Sequence, residues 1–279
     1  MKGFFFFTIL FILGSANINA QFSRIDERTA DRVTVRFSII QKLIKPLYRK
    51  PSKTELEAVE PSRELLDKYA DFLRQEDTGL TKLINDMGCA ENTRVVVASD
   101  DCLKYTMPGA GSSFSFRAQT YRLSRLADIT FTDNSFQANG IFVHGIFVNI
   151  GDVPLENVTL QTAGLKYLTD FAPETDYKKS KEIDRQLIRG VKSGGFLYRR
   201  GFYIVEDTTF VLRSIAYNGK YMRSASGITY NELDFDKRKD VIVAFRIAEK
   251  DADGNVTILW KELQQKDSPK LEPIPKGKD

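Results

Sequence analysis

Apolar and polar side chains alternate at residues 33–39, where Val33, Val35, Phe37 and Ile39 are separated by Thr34, Arg36 and Ser38, a period of two that predicts a strand. Pro46, Pro51 and Pro61 then punctuate a polar stretch. From Pro61 the period lengthens. Leu65, Leu66, Tyr69, Phe72 and Leu73 recur at helical spacing with charged residues between them; Pro61 suits the start of this helix and Gly79 its end. Leu80, Leu83 and Ile84 suggest a second short helix.

After Cys89 the pattern is mainly β. Apolar runs at 94–97, 129–132, 141–150, 158–162, 210–217, 241–247 and 256–263 are separated by turn residues, among them Asp133-Asn134, Asn139-Gly140, Gly151-Asp152 and Gly194-Gly195. Asn218-Gly219 predicts a tight hairpin leading into 220–222, because both central residues of such a turn need positive φ. Asp251-Ala252-Asp253-Gly254 predicts another between the last two runs. Residues 173–189 are polar and charged, with Ile183, Leu187 and Ile188 placed for one amphipathic helix. These patterns predict an α+β protein, a mainly antiparallel β body (sandwich or barrel-like) with an N-terminal helical segment. A single mature domain is expected over 21–266, with a possible subdomain junction near 173–195. Residues 267–279, rich in proline, lysine and aspartate, read as a disordered tail.

The first twenty residues change the expected location. Lys2 is their only charge, an apolar run follows at 4–13, and small and polar residues lead to Ala20. This is the layout of a secretory signal, cut after Ala20 to leave Gln21 first. Its apolar core is about half the ~20 residues that cross a bilayer as a helix. A secreted or periplasmic protein without an integral membrane segment is expected. In that setting the two cysteines, Cys89 and Cys102, are expected to form a structural disulfide.

Charge narrows the partners. With 41 basic and 37 acidic residues, the chain lacks the concentrated basic stripe of a nucleic-acid binder. Lys42, Lys45, Arg49, Lys50 and Lys53 are interleaved with Leu43, Ile44, Pro46 and Leu47 and read as a solvated face or linker. No ligand is specified by the sequence; a glycan and an envelope protein are the partners it leaves open.

No complete catalytic or cofactor motif is present. Ser112 and Ser113 follow Gly109 and Gly111, but Gly111-Ser112-Ser113-Phe114-Ser115 lacks the closing glycine of a nucleophile elbow, and no Lys-Ser or Lys-Thr completes a phosphate loop. His144, the only histidine, would share a strand face with Phe142, Ile146, Val148 and Ile150 and reads as a buried, hydrogen-bonded core residue. Glu249, Asp251 and Asp253 resemble the start of a calcium loop, but its twelfth place falls on Trp260. No cofactor or metal is expected. Asn157 and Asn255 open glycosylation sequons that matter only in a glycosylating host.

Two segments supply ligand candidates. Residues 196–203 crowd aromatics and arginines, from which Tyr198, Arg199, Arg200 and Tyr203 could stack on sugar rings or hold anions. In the second, an extended 232–236 would turn Leu233 and Phe235 to the core and line Glu232, Asp234 and Asp236 on the opposite, solvated face. The leading expectation is an exported, non-enzymatic binding or structural module of the cell envelope or extracellular space. A carboxylate-dependent, glycosidase-like hydrolase and an assembly or regulatory partner of an envelope protein are the alternatives.

Overall fold

The structure is a computed structural model and describes residues 40–85, 111–225 and 227–272. The signal-like 1–20, the alternation at 33–39, the run at 94–97 and both Cys89 and Cys102, with their expected disulfide, lie outside the described residues. The chain divides into two units, one of residues 1–47 and 223–230, the other of residues 48–222 and 231–279.

The larger unit is built on two antiparallel sheets. Its strands are β1 (Thr78–Leu83), β2 (Ser113–Ser115), β3 (Thr120–Tyr121), β4 (Ile129–Thr132), β5 (Ser135–Gln137), β6 (Val143–Asn149), β7 (Val191–Ser193), β8 (Phe196–Arg199), β9 (Gly201–Tyr203) and β10 (Thr209–Ala216). A hairpin, β11 (Met222–Ala225) with β12 (Ile228–Asn231), lies mostly in the smaller unit. β13 (Lys239–Lys250) and β14 (Val256–Asp267) complete the set. The first sheet has seven strands in the order β1-β14-β13-β10-β6-β8-β7, the second five in the order β3-β2-β4-β5-β9. The β body and its antiparallel character are as the sequence predicts.

The seven-stranded sheet is covered on both faces. On one, Phe147, Phe210, Phe245 and Trp260 meet Phe114, Phe116, Phe131 and Phe136 of the five-stranded sheet and its turns. On the other, Ile146, Val148, Val211 and Ile242 meet Leu155, Leu165, Leu168 and Leu187 from turns and helices. This explains why β10 and much of β13 read as mainly apolar runs without alternation: a strand covered on both sides has no solvent face for polar residues, and the buried Arg213 and Ser214 of β10 are paired with Asp240 and Asp128. All eight residues of β10 are buried.

Several local expectations are corrected. The helix expected from Pro61 is two short ones, Arg63–Lys68 and Ala70–Leu73, the first capped by Ser62, whose Oγ accepts the Leu65 N–H at 3.3 Å. Where a second helix is expected at Leu80, Leu83 and Ile84, Leu80 and Leu83 lie in strand β1 and Ile84 directly follows it. Gly79 does not end a helix; it faces Trp260 of β14, and a Cβ there would run into the indole ring. Long-range pairing with β14 outweighs the short helical pattern, and Gly79 makes room for it. Residues 158–162 form turns after the 3-10 segment Leu155–Asn157 instead of a strand; Val158 anchors them in the core. Asn218-Gly219 does not fold 220–222 back on β10, whose two edges are occupied by β6 and β13. Asn218 binds the chain end instead, with its N–H donating to the Pro269 carbonyl at 2.8 Å. Through Leu271, packed on Ile215 and Tyr217, the tail joins the body as far as residue 272.

Candidate functional site

A cavity of ≈ 310 Å³ opens where β6 begins. Phe142, His144, Tyr177, Lys181, Tyr217 and Tyr221 are among its lining residues. Phe142 has φ +49°, a left-handed conformation that an aromatic residue rarely adopts. Hydrogen bonds hold it there. The Arg238 Nη2 donates to the Ile141 and Phe142 carbonyls at 2.7 and 2.9 Å, and the Tyr217 N–H to the Phe142 carbonyl at 2.9 Å. So fixed, the Phe142 ring meets Tyr177 and Tyr221 edge to face, at 6.0 and 5.7 Å between centroids.

The opposite wall is the helix Tyr177–Arg189, started by Asp176, whose Oδ1 accepts the Lys179 N–H at 2.9 Å. Its polar–apolar spacing buries Ser180 and Leu187 and leaves Lys181 exposed, with Nζ 5.6 Å from the Tyr177 ring centroid. Between helix and strand lies His144, buried as expected. Its Nε2 is 2.9 Å from the Ser180 carbonyl and its Nδ1 3.1 Å from the Tyr217 Oη. A carbonyl can only accept, so Nε2 carries the proton; in the neutral ring Nδ1 then accepts from the Tyr217 hydroxyl. Burial pushes the imidazole below its usual range, against the Ser180 hydrogen bond and Asp184, and burial also raises the Tyr217 phenol. Both nitrogens are occupied and the neutral form is favoured.

The aromatic–arginine run divides by location. Tyr198 is buried; its ring lies 4.4 Å from that of Tyr167, and its hydroxyl donates to the Gly164 carbonyl at 2.8 Å. Arg200 closes the cavity wall, pairing with Asp184 at 2.8 Å and donating to the Ala138 carbonyl through Nε at 3.1 Å. Arg199 and Tyr203 instead line a second cavity of ≈ 500 Å³, which Arg200 also borders.

The carboxylate segment departs most from expectation. Residues Glu232–Phe235 form a 3-10 turn, so Glu232, Asp234 and Asp236 do not share a strand face. Glu232 is buried and its Oε1 accepts from the Tyr48 hydroxyl at 2.8 Å and the Arg125 Nε at 2.5 Å. Asp236 is buried too, its Oδ2 bridging Arg117 Nη2 and Arg238 Nη1, each at 2.7 Å. Arg117 is paired as well with Asp128. Burial alone would lower the Arg117 pKa; Asp128 and Asp236 outweigh it and raise it. Only Asp234 is exposed, accepting from Asn231 Nδ2 at 2.6 Å. Arginines draw two of the three carboxylates inward, away from the face of Asp234, which an extended backbone would not allow.

The sequence reasoning missed Arg117, Asp128, Arg213 and Asp240. Arg117 and Asp236 are 119 residues apart, and Arg213 and Asp240 27. The one available signal was local: Arg213 interrupts the mainly apolar run at 210–217, and Asp240, with which it pairs at 2.6 Å, stands immediately before the run at 241–247. The remaining motifs are occupied structurally. Ser113 Oγ lies 3.0 Å from Thr130 Oγ1 in the core, and Asp251 accepts the Asp253 and Asn255 N–H groups at 3.0 and 2.9 Å and pairs with Lys82 at 3.0 Å.

Among the described residues, no group of three or more His, Cys, Asp or Glu is arranged to hold a metal ion, and no helix is long and apolar enough to cross a membrane. No protein-family model matches the chain, and neither a curated protein nor a solved structure shows significant similarity to it.

Proposed function

We propose that this protein is an exported, non-enzymatic binding module that holds a small, ring-shaped, hydroxyl-bearing ligand, such as a sugar, in the cavity beside His144. The export part rests on the first twenty residues. The binding part rests on one observation: the only histidine has both ring nitrogens hydrogen-bonded inside an aromatic wall. A general base needs a free nitrogen within reach of substrate. His144 instead shapes a concave surface that offers the rings of Phe142, Tyr177 and Tyr221 for stacking and Lys181 at its rim for polar contact. Its volume suits a small ligand.

Protein-observed NMR with a library of sugars, nucleosides and phenols tests this. The expected result is saturable shifts at Phe142, Tyr177, Lys181 and Tyr221, without turnover, that Tyr221→Ala weakens about tenfold or more. Library-wide absence of binding at these residues, or conversion of a bound compound, would refute the reading. The glycosidase alternative loses the geometry that motivated it, since Glu232 is joined to the partly buried Arg125 and Asp236 to the buried Arg117.

A further inference from the structure

The open edge of the five-stranded sheet carries a feature that the small-ligand reading leaves unused. Among the described residues β9 is its last strand and pairs only with β5, with Phe136 opposite Phe202. The Ile204 N–H donates to the Asn134 carbonyl and the Ala138 N–H to the Arg200 carbonyl, both at 3.0 Å. In an antiparallel ladder, hydrogen-bonded pairs alternate with non-bonded ones. Asn134–Ile204, Phe136–Phe202 and Ala138–Arg200 are therefore the bonded pairs, and the backbone groups of Gly201 and Tyr203 point away from β5 toward the free edge.

Beside that edge three large apolar side chains stand in solvent: Tyr203 at 71% exposure, Ile188 at 56% and Val205 at 50%. All three line the ≈ 500 Å³ cavity, together with Arg199 and Arg200. Its lining includes two arginines and no carboxylate. Arg200 is held by Asp184, whereas Arg199, on the exposed end of β8, is the guanidinium available to a visitor. Glu206 and Asp207 follow Val205 in sequence but are not part of the lining. An exposed strand edge with apolar side chains is a template for pairing by another strand, and edges without such a role are usually blunted by charge, proline or cover.

We propose that β9 is a docking edge for an extended segment of a partner polypeptide that alternates acidic and apolar side chains. Its backbone would pair with Gly201 and Tyr203, a carboxylate would meet Arg199, and an apolar side chain would fill the space between Ile188, Tyr203 and Val205. This is recognition by strand addition, in which backbone bonds supply affinity and side-chain pockets supply selectivity.

The test uses the full chain and two short blocked peptides, one alternating glutamate with valine and one alternating lysine with valine. Fluorescence anisotropy and amide exchange by NMR are the readouts. The expected result is saturable binding of the glutamate peptide alone, with slowed exchange at Gly201 and Tyr203. Arg199→Glu should weaken it about tenfold or more. Tyr203→Pro removes an outward N–H without touching a β5 hydrogen bond and should abolish it, whereas Tyr203→Ala should retain part of it. If Tyr203→Pro fails to fold, Arg199→Glu and the exchange pattern decide. Absence of binding, equal binding of the lysine peptide, an unchanged affinity in Arg199→Glu, or concentration-dependent pairing of two copies through this edge would each overturn the proposal. Because the probes differ from the sugar and phenol library, failure here leaves the cavity beside His144 to stand or fall separately.

Discussion

The ionic cluster around Asp236 and the cavity beside His144 share the Ile141–Phe142 segment, yet they use polar groups in opposite ways. In the cluster, the side chains of Arg117, Arg238, Asp128 and Asp236 are buried and joined to one another, and Arg238 continues to the backbone carbonyls of Tyr217, Ile141 and Phe142. At the cavity, Tyr177, Tyr221 and Lys181 stand beside open volume. The cluster supports the backbone; the cavity presents a surface that the backbone supports. A dense group of charged residues whose members neutralise one another is thus a support for the fold, and its density is no guide to a site.

That contrast breaks most sharply at Arg117. Arg117→Met leaves Asp128 and Asp236 buried without their main counter-charge and should cost about 3–5 kcal/mol, measured by urea unfolding. A loss near zero would mean that the cluster carries little of the fold.

Asp236 and Asp234 provide an internal control two residues apart. Asp236→Asn keeps the shape but removes the charge facing two arginines, and should cost about 2 kcal/mol. Asp234→Asn changes an exposed group and should cost less than about 0.5 kcal/mol. The sequence suggested that both changes would be mild, because both carboxylates were placed on one solvated strand face. Equal losses in thermal or chemical unfolding would restore that picture.

A smaller effect separates the cavity wall from the cluster by pH. Burial lowers the His144 pKa from its usual 6.5 or so, so the unfolded chain takes up the proton first as pH falls. The neutral ring's contribution to stability is complete above that unfolded value and is lost as pH falls through it toward the folded one. His144→Gln, which keeps hydrogen-bonding capacity, should flatten this part of the stability–pH curve. Elsewhere, Arg49 holds Glu55 at about 2, so its loss on acidification belongs to a lower window. A curve unchanged by His144→Gln would place the acid sensitivity in the carboxylates.

How much of this could be read from the chain depends on the distance over which each feature is decided. The β body, the β13–β14 hairpin and the helix Tyr177–Arg189 follow from local periodicity and turn residues. The burial of His144 follows from its apolar neighbours. The fate of Gly79 does not, because it is decided by Trp260 in register across β1 and β14. Nor does that of Asp236, whose carboxylate is held by Arg117, 119 residues away, as well as by Arg238 two residues on. The cavity itself was hidden for the same reason. Its lining comes from the start of β6, the helix Tyr177–Arg189, Arg200 and the turn after β10, and no motif joins those segments.

Because His144 is the only histidine, its two imidazole nitrogens give unambiguous ¹⁵N NMR signals, recorded across pH with and without a ligand that shifts the cavity residues. The expected result is a neutral ring protonated on Nε2 at neutral pH in both states, with ligand moving the signals but neither switching the tautomer nor producing turnover. A ring that titrates at or above the ordinary histidine value in the free protein, or that changes protonation as the ligand is converted, would contradict the reading of this cavity as a binding surface.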